Sequence, residues 1–137
     1  PECQVILPRL KTDLAEIFLN ASVDKLSNTK IKWKNEKSMT VVLCSKGYPG
    51  KYKKNLIINN IDKLKLSKKD FIYHAGTKFF KKKLRSNGGR VLNITSVGNN
   101  LLKIRKKIIS IISKIDWKKG FYRKDIGWKV IDKDENY

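Results

Sequence analysis

The stretch FIYHAGTKFFKKKLRSNGGRVLNIT, from Phe71 to Thr95, decides how this chain is read. Two alternating apolar segments, Phe71 to Ala75 and Val91 to Thr95, flank a basic connection that closes on Asn87-Gly88-Gly89-Arg90. Glycine pairs beside asparagine mark a chain reversal between strands, so the stretch reads as a β-hairpin. Gly88 and Gly89 can take positive φ and let another backbone or a ligand come close. Arg90, fixed directly after them, can offer a planar fork to a phosphate or carboxylate. The competing reading makes the glycines a plain turn and Arg90 a solvated cation.

Outward from that stretch, the 137 residues leave room for one domain and an appendage, and 40% apolar residues suffice for a modest core. No apolar run is long enough to span a membrane. The start carries no signal-peptide pattern and no Met, which points to a piece of something longer or a processed chain. Cys3 and Cys44 have neither Cys-x-x-Cys spacing nor a histidine cluster, so a disulfide framework and a zinc site are not expected and a reduced, cytoplasmic chain is. The formal charge of +20 invites a nucleic-acid partner. Yet only Arg9, Arg85, Arg90, Arg105 and Arg123 carry the guanidinium that base and phosphate recognition favours, and lysine is spread along the whole chain.

In chain order, Pro8 stands as a first helical residue, and Leu10, Leu14, Ile17, Phe18 and Ala21 recur at helical spacing, predicting an amphipathic helix to about Asn20. Ser22 to Lys37 is polar, with Trp33 as its large apolar anchor, and reads as a linker between two bodies. Met39 to Ser45 is a β-branched run predicting a strand buried on both faces. It ends in Lys46-Gly47-Tyr48-Pro49-Gly50, a loop able to hold one shape while exposing Lys46 and Tyr48. Leu56 to Ile58 is a further short strand candidate, and Asp62 to Asp70 a charged surface connection. His74, the single histidine, reads as a satisfied structural group, and Lys81 to Lys83 as a solvated charge run. Asn99 or Asn100 can cap a helix in which Leu101, Ile104, Ile108, Ile111, Ile112 and Ile115 keep helical spacing. Near the end, Arg123, Lys124 and Asp125 form a charge set between aromatics: a surface ion pair, or the lining of a site for an anion.

These elements give an α+β arrangement, a small antiparallel sheet with one covering helix and an N-terminal helix that belongs elsewhere. No nucleophile-base pair, metal-ligand set or phosphate-cradling Walker loop is present.

Taken together the motifs resemble a known family. Pro1-Glu2-Cys3-Gln4 with Leu7-Pro8-Arg9-Leu10-Lys11-Thr12-Asp13-Leu14, Ser45-Lys46-Gly47-Tyr48-Pro49-Gly50, His74-Ala75-Gly76-Thr77-Lys78, Asn87-Gly88-Gly89-Arg90-Val91-Leu92 and Tyr122-Arg123-Lys124-Asp125-Ile126-Gly127 occur in the order seen in phosphoribosylamine-glycine ligases, members of the ATP-grasp superfamily. The likeness covers nearly the whole chain, and the ordered set is far more specific than any one motif.

The resemblance implies the carboxy-terminal part of an ATP-dependent ligase of de novo purine synthesis that joins glycine to 5-phosphoribosylamine. Residues 1–30 would be the last helix of the ATP-grasp module and the start of a linker, and residues 31–137 the small C-terminal domain. The Mg or Mn ligands are expected upstream of Pro1, and with them most of the ATP site. This portion alone would then be inactive, acting with the remainder of the same ligase chain to close the active site. By analogy with related ATP-grasp enzymes, Arg90 and Lys78 are expected on the 5-phosphate, with Lys46 and Arg123 as weaker candidates and Gly88 and Gly89 shaping the approach. The alternatives are a basic nucleic-acid-binding module or a structural module without catalysis.

Overall fold

Two apolar nine-residue segments, Lys37–Ser45 with alternate residues buried and Arg90–Gly98 buried from Val91 to Val97, build the centre of the molecule. The computed structural model describes residues 1–134, and in it these two segments are the strands β1 and β5, paired antiparallel. Asp70–His74 forms β2 on the far side of β5, and Gly120–Phe121 forms the short β6 on the far side of β1, giving the order β2-β5-β1-β6. The expected pairing of the two ends of the Phe71 to Thr95 stretch is therefore present, with Phe71 opposite Thr95. The basic connection between them is more than a loop. Thr77–Phe80 (β3) and Lys83–Ser86 (β4) make a separate two-stranded sheet. Lys81 and Lys82 form its turn with φ of 49° and 57°, so part of the lysine run holds left-handed backbone instead of merely carrying charge.

Leu101–Ile112 is the covering helix, α3. The Asn100 side chain caps it, accepting a hydrogen bond from the Lys103 amide at 2.8 Å. Leu101, Ile104, Ile108, Ile111 and Ile112 are buried along one stripe, so packing offsets the poor helix preference of isoleucine. They meet Met39, Val41, Leu43, Leu92 and Ile94 from the sheet. The helix stops at Ile112, short of the expected Ile115, where the Ser113 hydroxyl donates back to the Ser110 carbonyl at 2.9 Å.

The strand β1 is not buried on both faces. Met39, Val41, Leu43 and Ser45 are buried and the residues between them half-buried, because the second face is covered only in part. Its cover includes Glu2–Ile6, the helix α1, which packs against β1 and β5. Pro8 sits in a 3-10 turn over Leu7–Arg9, and the next helix, α2, spans Leu14–Ser22, starting later than expected. Asp13 sets that start, its carboxylate accepting from the Ala15 amide at 2.8 Å. Leu10 instead pairs with Trp33 in an isolated bridge, tying the linker back to the N-terminal segment. No residue of α2 is buried, and Phe18 and Leu19 are each 65% exposed.

Leu56 to Ile58 lies along β4 as expected of a short extended segment, with the Ile58 amide donating to the Leu84 carbonyl at 2.9 Å. Asp70, read as the end of a surface connection, is instead a buried strand residue. Its carboxylate accepts from Ser67 Oγ at 2.7 Å, Ser96 Oγ at 2.7 Å and Lys107 Nζ at 2.9 Å. A final helix, α4, over Trp128–Asp134, was not anticipated, and Ile131 anchors it in the core.

Candidate functional site

Three of the motifs meet at one end of the sheet. The Ser45 amide donates to the Gly89 carbonyl and its hydroxyl to the Gly88 carbonyl, each at 2.8 Å, so the end of β1 is pinned to the Asn87 to Arg90 turn. The chain then reverses through Gly47, whose φ of 100° and close approach to the Lys51 carbonyl exclude a side chain. That reversal brings Tyr48 onto Gly89, where an added Cβ would lie 2.1 Å from the ring. From the other side the Ala75 and Gly76 amides both donate to the Val91 carbonyl at 3.1 Å, and the Asn87 amide to the Gly76 carbonyl at 2.7 Å. A Cβ on Gly76 would stand 2.5 Å from the Arg90 carbonyl. Gly88 and Gly89 do not adopt positive φ, contrary to expectation; close approach of Gly76 and Tyr48 is what requires them small.

A β-bulge aims the arginine. Leu43 pairs with Leu92 but Cys44 with Arg90, so Val91 is the extra residue. Strict alternation would put Arg90 on the α3 side. The bulge instead sets it opposite Cys44, on the same face as Asn93, which pairs with Val42. The result is a cleft of about 380 Å³ lined by Pro1 and Gln4 of α1, Tyr48, Ala75, Gly89, Arg90 and Asn93.

Arg90 is exposed and, among the described residues, has no carboxylate within ion-pair distance. Its charge is felt by its neighbours. Burial pushes the Cys44 thiol up in pKa, with Arg90 opposing the shift. Asn93 is 4% exposed and its Oδ1 has no hydrogen-bond partner. An acceptor buried without a donor is costly in an unliganded protein.

The other candidates lie elsewhere. Lys46 lines a separate cleft of about 520 Å³ with Lys51, Tyr52, Lys53, Leu56 and Lys119. Lys78, on β3, places its ammonium 5.7 Å from the centre of the Phe80 ring. Arg123 is engaged by Asp125, with Nε to Oδ1 at 3.1 Å and Nη2 to Oδ2 at 2.6 Å, the surface ion pair of the two readings open from sequence. His74 meets the Thr77 hydroxyl at 3.0 Å, holding the turn as a structural group would. Sequence reasoning did not single out Gln4, Ala75 or Asn93; the available signal for Asn93 was a polar side chain inside the apolar run Val91-Leu92-Asn93-Ile94. Among the described residues no group of three or more His, Cys, Asp or Glu could hold a metal ion, so these residues do not fit the Mg or Mn site of the resemblance. No helix among the described residues is long and apolar enough to cross a membrane. Both cysteines are free.

The chain is similar to known proteins over nearly its whole length. Residues 38–129 match the family model described as phosphoribosylglycinamide synthetase, C domain. The phosphoribosylamine–glycine ligase of Agrobacterium fabrum is 40% identical over 98% of the chain and that of Escherichia coli 36% identical over 99%. The crystal structure of the phosphoribosylamine–glycine ligase of Thermotoga maritima superposes with a TM-score of 0.68 at 28% identity, covering 91% of this chain and 30% of that one. The chain thus spans about a third of the length of these relatives, 31% and 32% of the first two. With the family model matched from β1 into α4, the chain belongs to the phosphoribosylglycinamide synthetase C-domain family.

Proposed function

We propose that the chain is the C-terminal part of a phosphoribosylamine–glycine ligase, and that its cleft holds the phosphoribosyl substrate while an upstream module binds ATP and glycine. The observation that carries this reading is Arg90: an exposed guanidinium without an ionic partner among the described residues, turned by a bulge into a cleft that Gly89 and Asn93 also line. A fork of N–H donors in such a place suits a phosphate dianion. Lys78, Lys46 and Arg123 supply further positive charge at greater remove, and Gly88 and Gly89 keep the approach open. Mg or Mn and ATP belong to residues of the ligase outside this chain. The remainder of the ligase is the partner of residues 1–30, a role supported by the exposed apolar side chains Phe18, Leu19 and Val23 of α2 and its end. Residues 31–137 form the small domain that closes over the substrates.

The test uses the protein expressed from its complete gene. It should join glycine to 5-phosphoribosylamine with conversion of ATP to ADP and phosphate. Arg90→Ala should raise KM for phosphoribosylamine about 10- to 100-fold, the loss of a charge-assisted contact, and leave KM for ATP within about twofold. Equal effects on both substrates, or none, would remove Arg90 from the site.

A further inference from the structure

Asn93 has no function in the fold that its surroundings explain. It sits at the middle of β5, between Val42 of β1 and Tyr73 of β2, where the neighbouring strand positions Leu92 and Ile94 are wholly buried hydrophobics. A side chain of similar size without polar atoms would fill the place, yet an amide oxygen stands there unpaired at 4% exposure. The same residue lines the cleft that Arg90 enters. Because Arg90 and Asn93 pair with Cys44 and Val42, they lie two positions apart along one face of β1, about 7 Å at the usual rise per residue. That spacing is comparable with the span from a 5-phosphate to a hydroxyl of the ribose ring it esterifies.

We propose that Asn93 is a specificity determinant of the cleft: its Oδ1 accepts a hydrogen bond from the 2-hydroxyl of the bound 5-phosphoribosyl group, whose phosphate Arg90 holds. The inference rests on the phosphoribosyl reading of the cleft. It adds to that reading a reason for selecting ribosyl over deoxyribosyl phosphates, since a buried acceptor that a ligand fails to satisfy stays unpaired and rejects that ligand.

The test measures binding of ribose 5-phosphate, 2-deoxyribose 5-phosphate and inorganic phosphate by calorimetry, with the protein expressed from its complete gene and its Asn93→Leu, Asn93→Ala and Arg90→Ala variants. The expected result is that the wild type prefers ribose 5-phosphate over the deoxy sugar by about tenfold or more, that both Asn93 variants lose the preference while keeping phosphate affinity, and that Asn93→Leu has a Tm about 2–5 °C higher without ligand. A merely structural asparagine would show the opposite stability change. Binding that depends on Arg90 but is indifferent to Asn93, or lost equally for all three ligands, overturns the inference and leaves the cleft reading intact. If ribose 5-phosphate does not bind the wild type, or binds without need of Arg90, both fall together.

Discussion

Replacing Asp70 with asparagine separates the electrostatics of the sheet from its packing. Burial alone would raise the Asp70 pKa, but hydrogen bonds from the Ser67 hydroxyl, Lys107, the Ser96 hydroxyl and the Ser67 amide outweigh it and lower the value from 3.8 to about 2. The folded pKa lies below the unfolded one, so the group stabilises the fold above the unfolded pKa and that contribution is lost as pH falls through the folded one. A difference of nearly two units corresponds to about 2 kcal/mol, lost between about pH 4 and about pH 2. Most of it comes from neutral donors held in the fold. Lys107 is 48% exposed and its share is screened, so Lys107→Met should cost under about 1 kcal/mol. Asp70→Asn turns an amide N–H₂ toward donors and should cost about 2–4 kcal/mol at neutral pH, in the range for a broken buried polar network. The assay is urea unfolding of wild type and Asp70→Asn across the acid range, with equal m-values as the check on two-state behaviour. The gap between the two proteins should shrink by about 2 kcal/mol from neutral pH to about pH 2. A gap that stays constant would refute the assignment, and a Lys107→Met cost equal to that of Asp70→Asn would show that the ion pair carries the effect.

Other substitutions test the frame around the cleft. Gly76→Ala puts a methyl group against the Arg90 carbonyl at 2.5 Å and should destabilise by about 3 kcal/mol or more in thermal unfolding. Gly89→Ala puts a methyl group 2.1 Å from the Tyr48 ring, which must be displaced from its base, so it should cost about 1–3 kcal/mol while weakening phosphate-ester binding. Asn100→Ala removes the cap of α3 and should cost about 1 kcal/mol, with Asn100→Asp retaining most of it.

What the sequence made legible was what depends on local pattern. The β-branched run Met39 to Ser45, the apolar segment Val91 to Thr95 and the spacing of Leu101, Ile104, Ile108 and Ile111 are plain, and β1, β5 and α3 stand where they predict. The β3–β4 hairpin was hidden because its turn uses Lys81 and Lys82 in left-handed backbone, where a reader looks for Gly or Asn. The late start of α2 was hidden because Leu10 has helical spacing but spends itself on Trp33, leaving Asp13 to cap the helix. At the cleft, the motifs pointed to Arg90 and the glycines. The pattern could not say that a bulge at Val91 turns Arg90 toward Asn93, or that Lys46 faces a different cleft from Arg90 across the same loop. Those are facts of three-dimensional register, invisible to spacing along one strand.

The most direct test of the central claim is a crystal structure of the protein expressed from its complete gene, grown with ribose 5-phosphate. The phosphate should lie on the Arg90 guanidinium, in the cleft between Tyr48, Gly89 and Asn93. A phosphate seated instead among Lys46, Lys51, Lys53 and Lys119, with the Arg90 cleft free of sugar, would contradict it.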